Sequence, residues 1–285
     1  MSFASRVALL SLLLPLGIAA PARSDESDDQ RDPFEISLSG SGGIPNGYVQ
    51  VRENERVGTR LRFHHDLGMD DVESIALSGA YHLTSDDAFR LEFDTLFLYG
   101  STRLDEDVFF NGARLQGGTR LRSEPDFFRL TGLYERRLFD LPGGGHLAGD
   151  LGITYVLLEF STRGTLSSLS AGSETKEDFL TQELPVPMLG FSFEQPLSKR
   201  LRFVGTAFGG YLPKVDSLRT EGGTVYLKQS HADASARLRY VLLPHLDLEG
   251  GYAFHYFMQN ERSREDGNFI KLYSNDLTAG LTYRF

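Results

Sequence analysis

The chain has 285 residues, with 30 glycines, 21 phenylalanines and 12 tyrosines against 11 prolines and no cysteine or tryptophan. A formal charge of -10 argues against nucleic acid as a partner, because phosphate binding needs clustered Lys and Arg. The lack of cysteine excludes disulfides, thiol nucleophiles and Cys-ligated metals.

Arg6 precedes an apolar run, Val7 to Ala20, that ends in Ala20-Pro21-Ala22, a small-x-small cleavage pattern. Residues 1–22 are therefore expected to be a secretory signal peptide. With no cysteine near the cut, lipoprotein processing is excluded. Residues 23–33 are rich in charge and are expected to form a flexible periplasmic leader. No later stretch is apolar for long enough to make a transmembrane helix.

From Phe34 the pattern has period two, the signature of strands. Phe34, Ile36 and Leu38 face one way, and the chain then enters a Gly-rich stretch, 40–47, read as the end of the first strand. Residues 48–69 hold two short strand-like runs and are expected to form an extended loop hairpin or an additional membrane hairpin. Ile75, Leu77, Tyr81 and Leu83 alternate with polar or small residues, and a turn follows at Ser85-Asp86-Asp87. Phe89, Leu91, Phe93 and Phe97 then oppose Arg90, Glu92 and Asp94. Three charges in succession do not suit the core of a soluble sheet, so this face is assigned to a polar interior.

Residues 105–126 are expected to make a hairpin projecting beyond the bilayer. Phe128, Leu130, Tyr134 and Leu138 then face out, with Arg129, Glu135 and Arg137 in; after the turn at 141–145, Leu151, Ile153 and Leu157 face out and Asp150 in. A long polar loop is expected over 162–178. Pro185 and Pro187 remove ladder donors, so a bulge or distortion is expected in 184–193. The strand from Leu201 carries Arg202 inward, and the next sets His231, Asp233, Arg237 and Arg239 on one face. After Leu243-Pro244, Asp247, Glu249 and His255 point in. The last strand presents Tyr273, Leu281, Tyr283 and Phe285 outward, with Asp276 and Arg284 inward.

From Val72 onward, short connections alternate with long ones, as periplasmic turns alternate with extracellular loops in outer-membrane barrels. The fold class expected is therefore all-β: a transmembrane antiparallel up-and-down β-barrel over residues 34–285, of about ten strands, with eight or twelve as alternative counts. Closure without edges requires the last strand to pair with residues 34–39.

These features together resemble the small bacterial outer-membrane barrels of the OmpA and OmpW type. The final Thr282-Tyr283-Arg284-Phe285 is similar to the signal that the barrel-assembly machinery recognises. Residues 66–71 and 110–129 resemble a group of proteobacterial barrels to which no activity is attached. The resemblance implies insertion in the outer membrane as a monomer, in contact with outer-membrane lipid and lipopolysaccharide and with the assembly machinery.

Two constellations stand out. Arg90, Glu92, Asp94, Arg129, Glu135, Arg137, Asp150, Arg202, Arg237, Arg239, Asp247 and Glu249 are expected to fill the lumen with ion pairs, since buried charges need partners. Hairpin arithmetic around Leu243-Pro244 sets Arg239 near Asp247, Arg237 near Glu249, and His231 and Asp233 beside His255. That last group is the candidate catalytic site, because an Asp-oriented His serves as a general base. No cofactor is expected. Nor is a metal, since adjacent His64 and His65 point to opposite faces of a strand. The function expected is a structural or solute-binding envelope barrel, with three alternatives: a lipid-modifying hydrolase of the outer leaflet, a narrow channel, or passage of hydrophobic molecules through a lateral opening near Pro185 and Pro187.

Overall fold

The computed structural model describes residues 33–53, 56–110, 113–165, 173–177, 184–220, 224–264 and 267–285. The expected signal peptide, and all of the leader but Pro33, lie outside the described residues.

Ten long strands close into a ring: β1 (Phe34–Glu53), β2 (Val72–His82), β3 (Asp87–Leu98), β4 (Arg120–Leu141), β5 (Gly145–Thr165), β6 (Val186–Pro196), β7 (Leu201–Thr220), β8 (Thr224–Leu243), β9 (Leu246–Arg262) and β10 (Gly267–Arg284). Each is antiparallel to its neighbours in sequence, and β10 returns to pair with β1 from Glu35↔Arg284 to Arg52↔Gly267. The barrel therefore has no edge over this span, which hydrocarbon requires. The turns at 83–86, 142–144, 197–200 and 244–245 lie at the same end as both Phe34 and Phe285; the long connections lie at the other, here called the distal end.

The pleat decides what faces lipid. Phe34, Leu77, Phe93, Leu151, Leu189, Leu248, Leu277 and many like them are exposed on the outside, whereas Asp94, Asp150, Asp247, Glu249 and Thr282 are buried within. This inversion of the soluble pattern places the apolar faces of the strands in a membrane.

Several sequence expectations change. The Gly-rich stretch 40–47 does not end the first strand but continues it to Glu53. Glycine is required there by close approach: a Cβ on Gly43 would meet the Asp276 carboxylate at 2.0 Å, and Gly47 has φ +109 with the Lys271 carbonyl against it. The Pro-containing strand β6 keeps an unbroken register with β5 over His146–Thr154 and with β7 over Arg202–Gly210. Pro185 lies just before the strand and Pro187 is its second residue, at the distal end where a missing donor costs least, while Pro196 ends the strand at the turn. Register shifts fall instead at Leu147/Ala148, Leu212/Val215, Asp216/Thr220 and Val241/Leu243.

The largest correction concerns the distal connections. Residues 48–69 add no membrane hairpin: Leu61–Arg62 pairs back onto Tyr48–Val49, and a turn over 63–67 follows. The hairpin Val108–Phe110/Ala113–Leu115 does not project but folds over the barrel mouth. Phe63, Leu67, Met69 and Phe110 have 0% of their surface exposed. They pack with inward Leu98, Phe127, Phe160, Phe257 and Ile270 into one apolar cluster, which stoppers the distal half of the lumen.

Candidate functional site

Below the stopper a cavity of about 580 Å³ runs through the other half of the lumen. Its lining starts among Ser85, Asp87, Gly144, Pro196 and Arg284 at the turn end and stops at Phe127, Phe257 and Leu272, which belong to the stopper. The walls are charged because strands β3, β4, β8 and β9 each point mostly polar residues inward at this level, interrupted by Ala88, Leu133, Gly251 and Ala253.

The lumen charges pair largely across strands. Arg90 reaches Glu135 at 3.3 Å, Arg202 reaches Glu194 at 2.9 Å, and Arg237 reaches Glu249 at 3.1 Å. Arg239 stands at 2.6 Å from Glu249 and 3.6 Å from Glu35. Arg284 grips Asp247 through both carboxylate oxygens, at 2.8 and 2.9 Å. Arg137 pairs with Asp140 on its own strand.

Three placements differ from the sequence expectation. The irregularity at Val241/Leu243 sets Arg239 opposite Glu249, so Asp247 is left to Arg284. Asp150 is 3% exposed and lies opposite Glu135, a like charge, while Arg90 is engaged by Glu135. Among the described residues neither Asp150 nor Glu92 makes an ion pair; Glu92 lies in the cavity wall on the strand that also carries Asp94.

The His/Asp group sits just beneath the stopper. Asp233 lies opposite His255 in the β8–β9 ladder, and its two oxygens are divided: one takes His255 Nδ1 at 2.8 Å, the other Arg129 Nη1 at 2.9 Å. Arg129 Nε in turn donates to Asp94 at 2.8 Å. On the far side of the ring, His255 Nε2 stands 3.6 Å from Asp276, whose carboxylate accepts from Ser274 Oγ at 3.0 Å. Ser41 Oγ approaches the same oxygen at 3.5 Å and bonds Ser74 Oγ at 2.7 Å. The result is a continuous relay from β3 round to β2 through Asp94, Arg129, Asp233, His255, Asp276 and Ser41.

His231 does not join this relay. It lies opposite Phe257, packs on that ring at 5.2 Å, and bonds Gln229 at 3.0 Å. Being 3% exposed, it belongs to the floor of the stopper. The sequence reading missed Asp276 as a His255 partner, together with Glu35 and Glu194 as acids of the lumen. Their inward parity was the available signal. Among the described residues no group of three His, Asp or Glu is arranged to hold a metal ion.

No family model and no curated protein matches the chain. Solved structures do. The outer membrane protease OmpT from Escherichia coli is 13% identical, with 90% of this chain and 98% of that chain covered and a TM-score of 0.50. The outer membrane protein OprG from Pseudomonas aeruginosa is 11% identical over 90% and 97%, at 0.37. Neisserial surface protein A is 12% identical over 90% and 100%, at 0.33. At such identities the likeness is one of fold, and the fold is that of the bacterial outer-membrane β-barrels.

Proposed function

We propose that the protein is an integral outer-membrane barrel, exported by its signal peptide, with termini and short turns toward the periplasm. Its role is structural and solute-binding: a closed wall around a blind, charge-lined chamber that opens inward to small polar solutes. The observation that supports this is the stopper. Phe63, Leu67, Met69 and Phe110 are fully buried in an apolar cluster that, among the described residues, lies between the chamber and the distal end.

The hydrolase alternative draws on the Asp233–His255 pair. A general base needs one ring nitrogen free to accept a proton from a nucleophile. Here each nitrogen of His255 faces a carboxylate, and among the described residues no hydroxyl bonds to the ring. A lateral opening at the proline strand gains no support either, since β6 is laddered on both sides.

Reconstituted into planar bilayers, the full chain should pass no sustained current. Large steady steps from the wild-type protein would overturn this reading and make it a porin.

A further inference from the structure

The sequence has five lysines, at 176, 199, 214, 228 and 271. Three of them, Lys214, Lys228 and Lys271, lie on neighbouring distal stretches of β7, β8 and β10, and each ammonium stands over a tyrosine ring. Lys214 is 3.8 Å from the Tyr226 centroid, Lys228 5.7 Å from Tyr211, and Lys271 5.8 and 5.7 Å from Tyr256 and Tyr273. On β1, which pairs Tyr48 with Lys271, the Arg60 guanidinium stacks over Tyr48 at 4.4 Å.

These residues face outward, away from the lumen. Along β8 and β10 they share parity with exposed Leu238, Leu277 and Tyr283, whereas Asp276 and His231 have the opposite parity and are buried. The ladder also gathers them. Tyr48, Lys271, Met258, Ser230 and Tyr211 follow one another across five strands in a single row of partners. Lys228 lies one outward step beyond this row and Tyr256 and Tyr273 one step within it.

The place of Lys271 along β10 is read from the tyrosines of that strand. Tyr273 and Tyr283 are ten positions apart on β10, roughly 33 Å along a strand and roughly 25 Å along an axis tilted by about 40°. That matches the apolar band of outer-membrane barrels, about 25 Å tall. Between these two tyrosines the outward residues of β10 are Asn275, Leu277, Ala279 and Leu281, all uncharged. Lys271 is the next outward residue past Tyr273, so on β10 this cation lies where the uncharged outward stretch ends. The other flank is different: Glu73, Phe97, Asp126 and Glu159 form an outward row that is acidic.

The geometry points to a binding site for a phosphorylated saccharide headgroup of the outer-leaflet glycolipid, on the distal wall formed by β7–β10 and β1. Lys214, Lys228 and Lys271 meet its phosphates, and Tyr211, Tyr226, Tyr256 and Tyr273 hold the ammonium groups and offer hydroxyl donors beside them. In a chain of charge -10, concentrating most of the lysines on one lipid-facing flank matches that ligand by charge. The choice of leaflet rests on the orientation proposed above.

The test titrates tagged bisphosphoryl lipid A, or its dephosphorylated form, into the folded full chain in zwitterionic micelles. Wild type should prefer the phosphorylated lipid, and K214Q/K228Q/K271Q should lose about a hundredfold in affinity for it, at about fivefold per lysine. K199Q, in an exposed turn at the other end, should bind as wild type. Equal affinity of the triple variant and wild type, or no preference of wild type for phosphate, would overturn the site; the second arm decides alone if the triple variant does not fold. Orientation is read separately, by impermeant maleimide on Val57→Cys in intact cells. Labelling supports the distal end outside, and labelling only after permeabilisation overturns the orientation while leaving phosphate binding to the titration.

Discussion

Along β9 the inward side chains run Asp247, Glu249, Gly251, Ala253, His255 and then Phe257; along β10, from the same end, they run Thr282, Gly280, Thr278, Asp276, Ser274 and then Leu272 and Ile270. β3 changes from Arg90, Glu92 and Asp94 to Leu96 and Leu98, and β4 from Arg129 to Phe127. All four strands switch at one level, so the lumen has two regions made by the same ladder. In the charged half, side chains from the wall satisfy one another across a chamber. In the apolar half the wall cannot complete itself, because facing strands are too far apart for their side chains to fill the space between them. It takes its missing partner from residues 58–69, 104–110 and 113–115, which form a cap. The charged half needs only the barrel; the apolar half needs the barrel and two loops.

The most severe way to break this contrast is to hollow the cap. Phe63→Ala with Phe110→Ala removes two fully buried rings and should cost about 3–5 kcal/mol each. Urea unfolding in micelles checks the cost, and the variant should show conductance in bilayers that wild type lacks. An unchanged midpoint and a silent bilayer would mean that the stopper holds without these rings.

A smaller effect is expected from the relay. Asp233→Ala leaves His255 without its 2.8 Å partner and Arg129 with Asp94 alone. Because these groups border a chamber, the loss should be about 1–3 kcal/mol, with the bilayer still silent. Conductance in this variant would show that the two halves are not separable.

The smallest effect lies in the cap's outer turn. Burial pushes the Asp66 carboxyl up, but hydrogen bonds from the Arg62 side chain and backbone and from His65 outweigh this and hold it at about 2. A depressed carboxyl stabilises the folded turn above its unfolded value near 4 and loses that contribution as pH falls toward 2. With Asp66 open to solvent on one side, the contribution is about 1 kcal/mol. Protection factors at the amides of Asp66 and Leu67, taken against the unfolded-chain rate at each pH, should fall between pH 4 and 2 in wild type, and should already be low and flatter with pH in Asp66→Asn.

The sequence carried the barrel clearly and its interior only in part. Parity alone placed Phe89, Leu91 and Phe93 outside and Arg90 and Asp94 inside, because a pleated strand has two faces and only one can meet lipid. The same parity put Leu96, Phe127, Phe257 and Ile270 inside, where the expected polar lumen had no place for them. Their meaning depended on Phe63 and Phe110, whose loops show no period. Counting from the turn set His231 and Asp233 beside His255 and Arg239 near Asp247, but the irregularity at Val241/Leu243 displaces the whole count, so Asp233 alone faces His255, His231 faces Phe257 and Arg239 faces Glu249. Asp276 reaches His255 from β10, through a ladder that counting within the β8–β9 hairpin does not include.

The seam between β1 and β10 has a consequence in time. Ser37 bonds Thr282 at 2.8 Å across 245 residues, and Phe34 exchanges backbone hydrogen bonds with Phe285 at 3.1 and 3.0 Å. Every other seam of the ring joins strands adjacent in sequence, which can zip locally as they form. This one is the contact of highest order in the molecule, and the ring stays an open sheet with two bare edges until its last strand is in place. An open sheet of this composition is prone to pair with other chains. Closure of the wall therefore waits on the meeting of the first strand with the last.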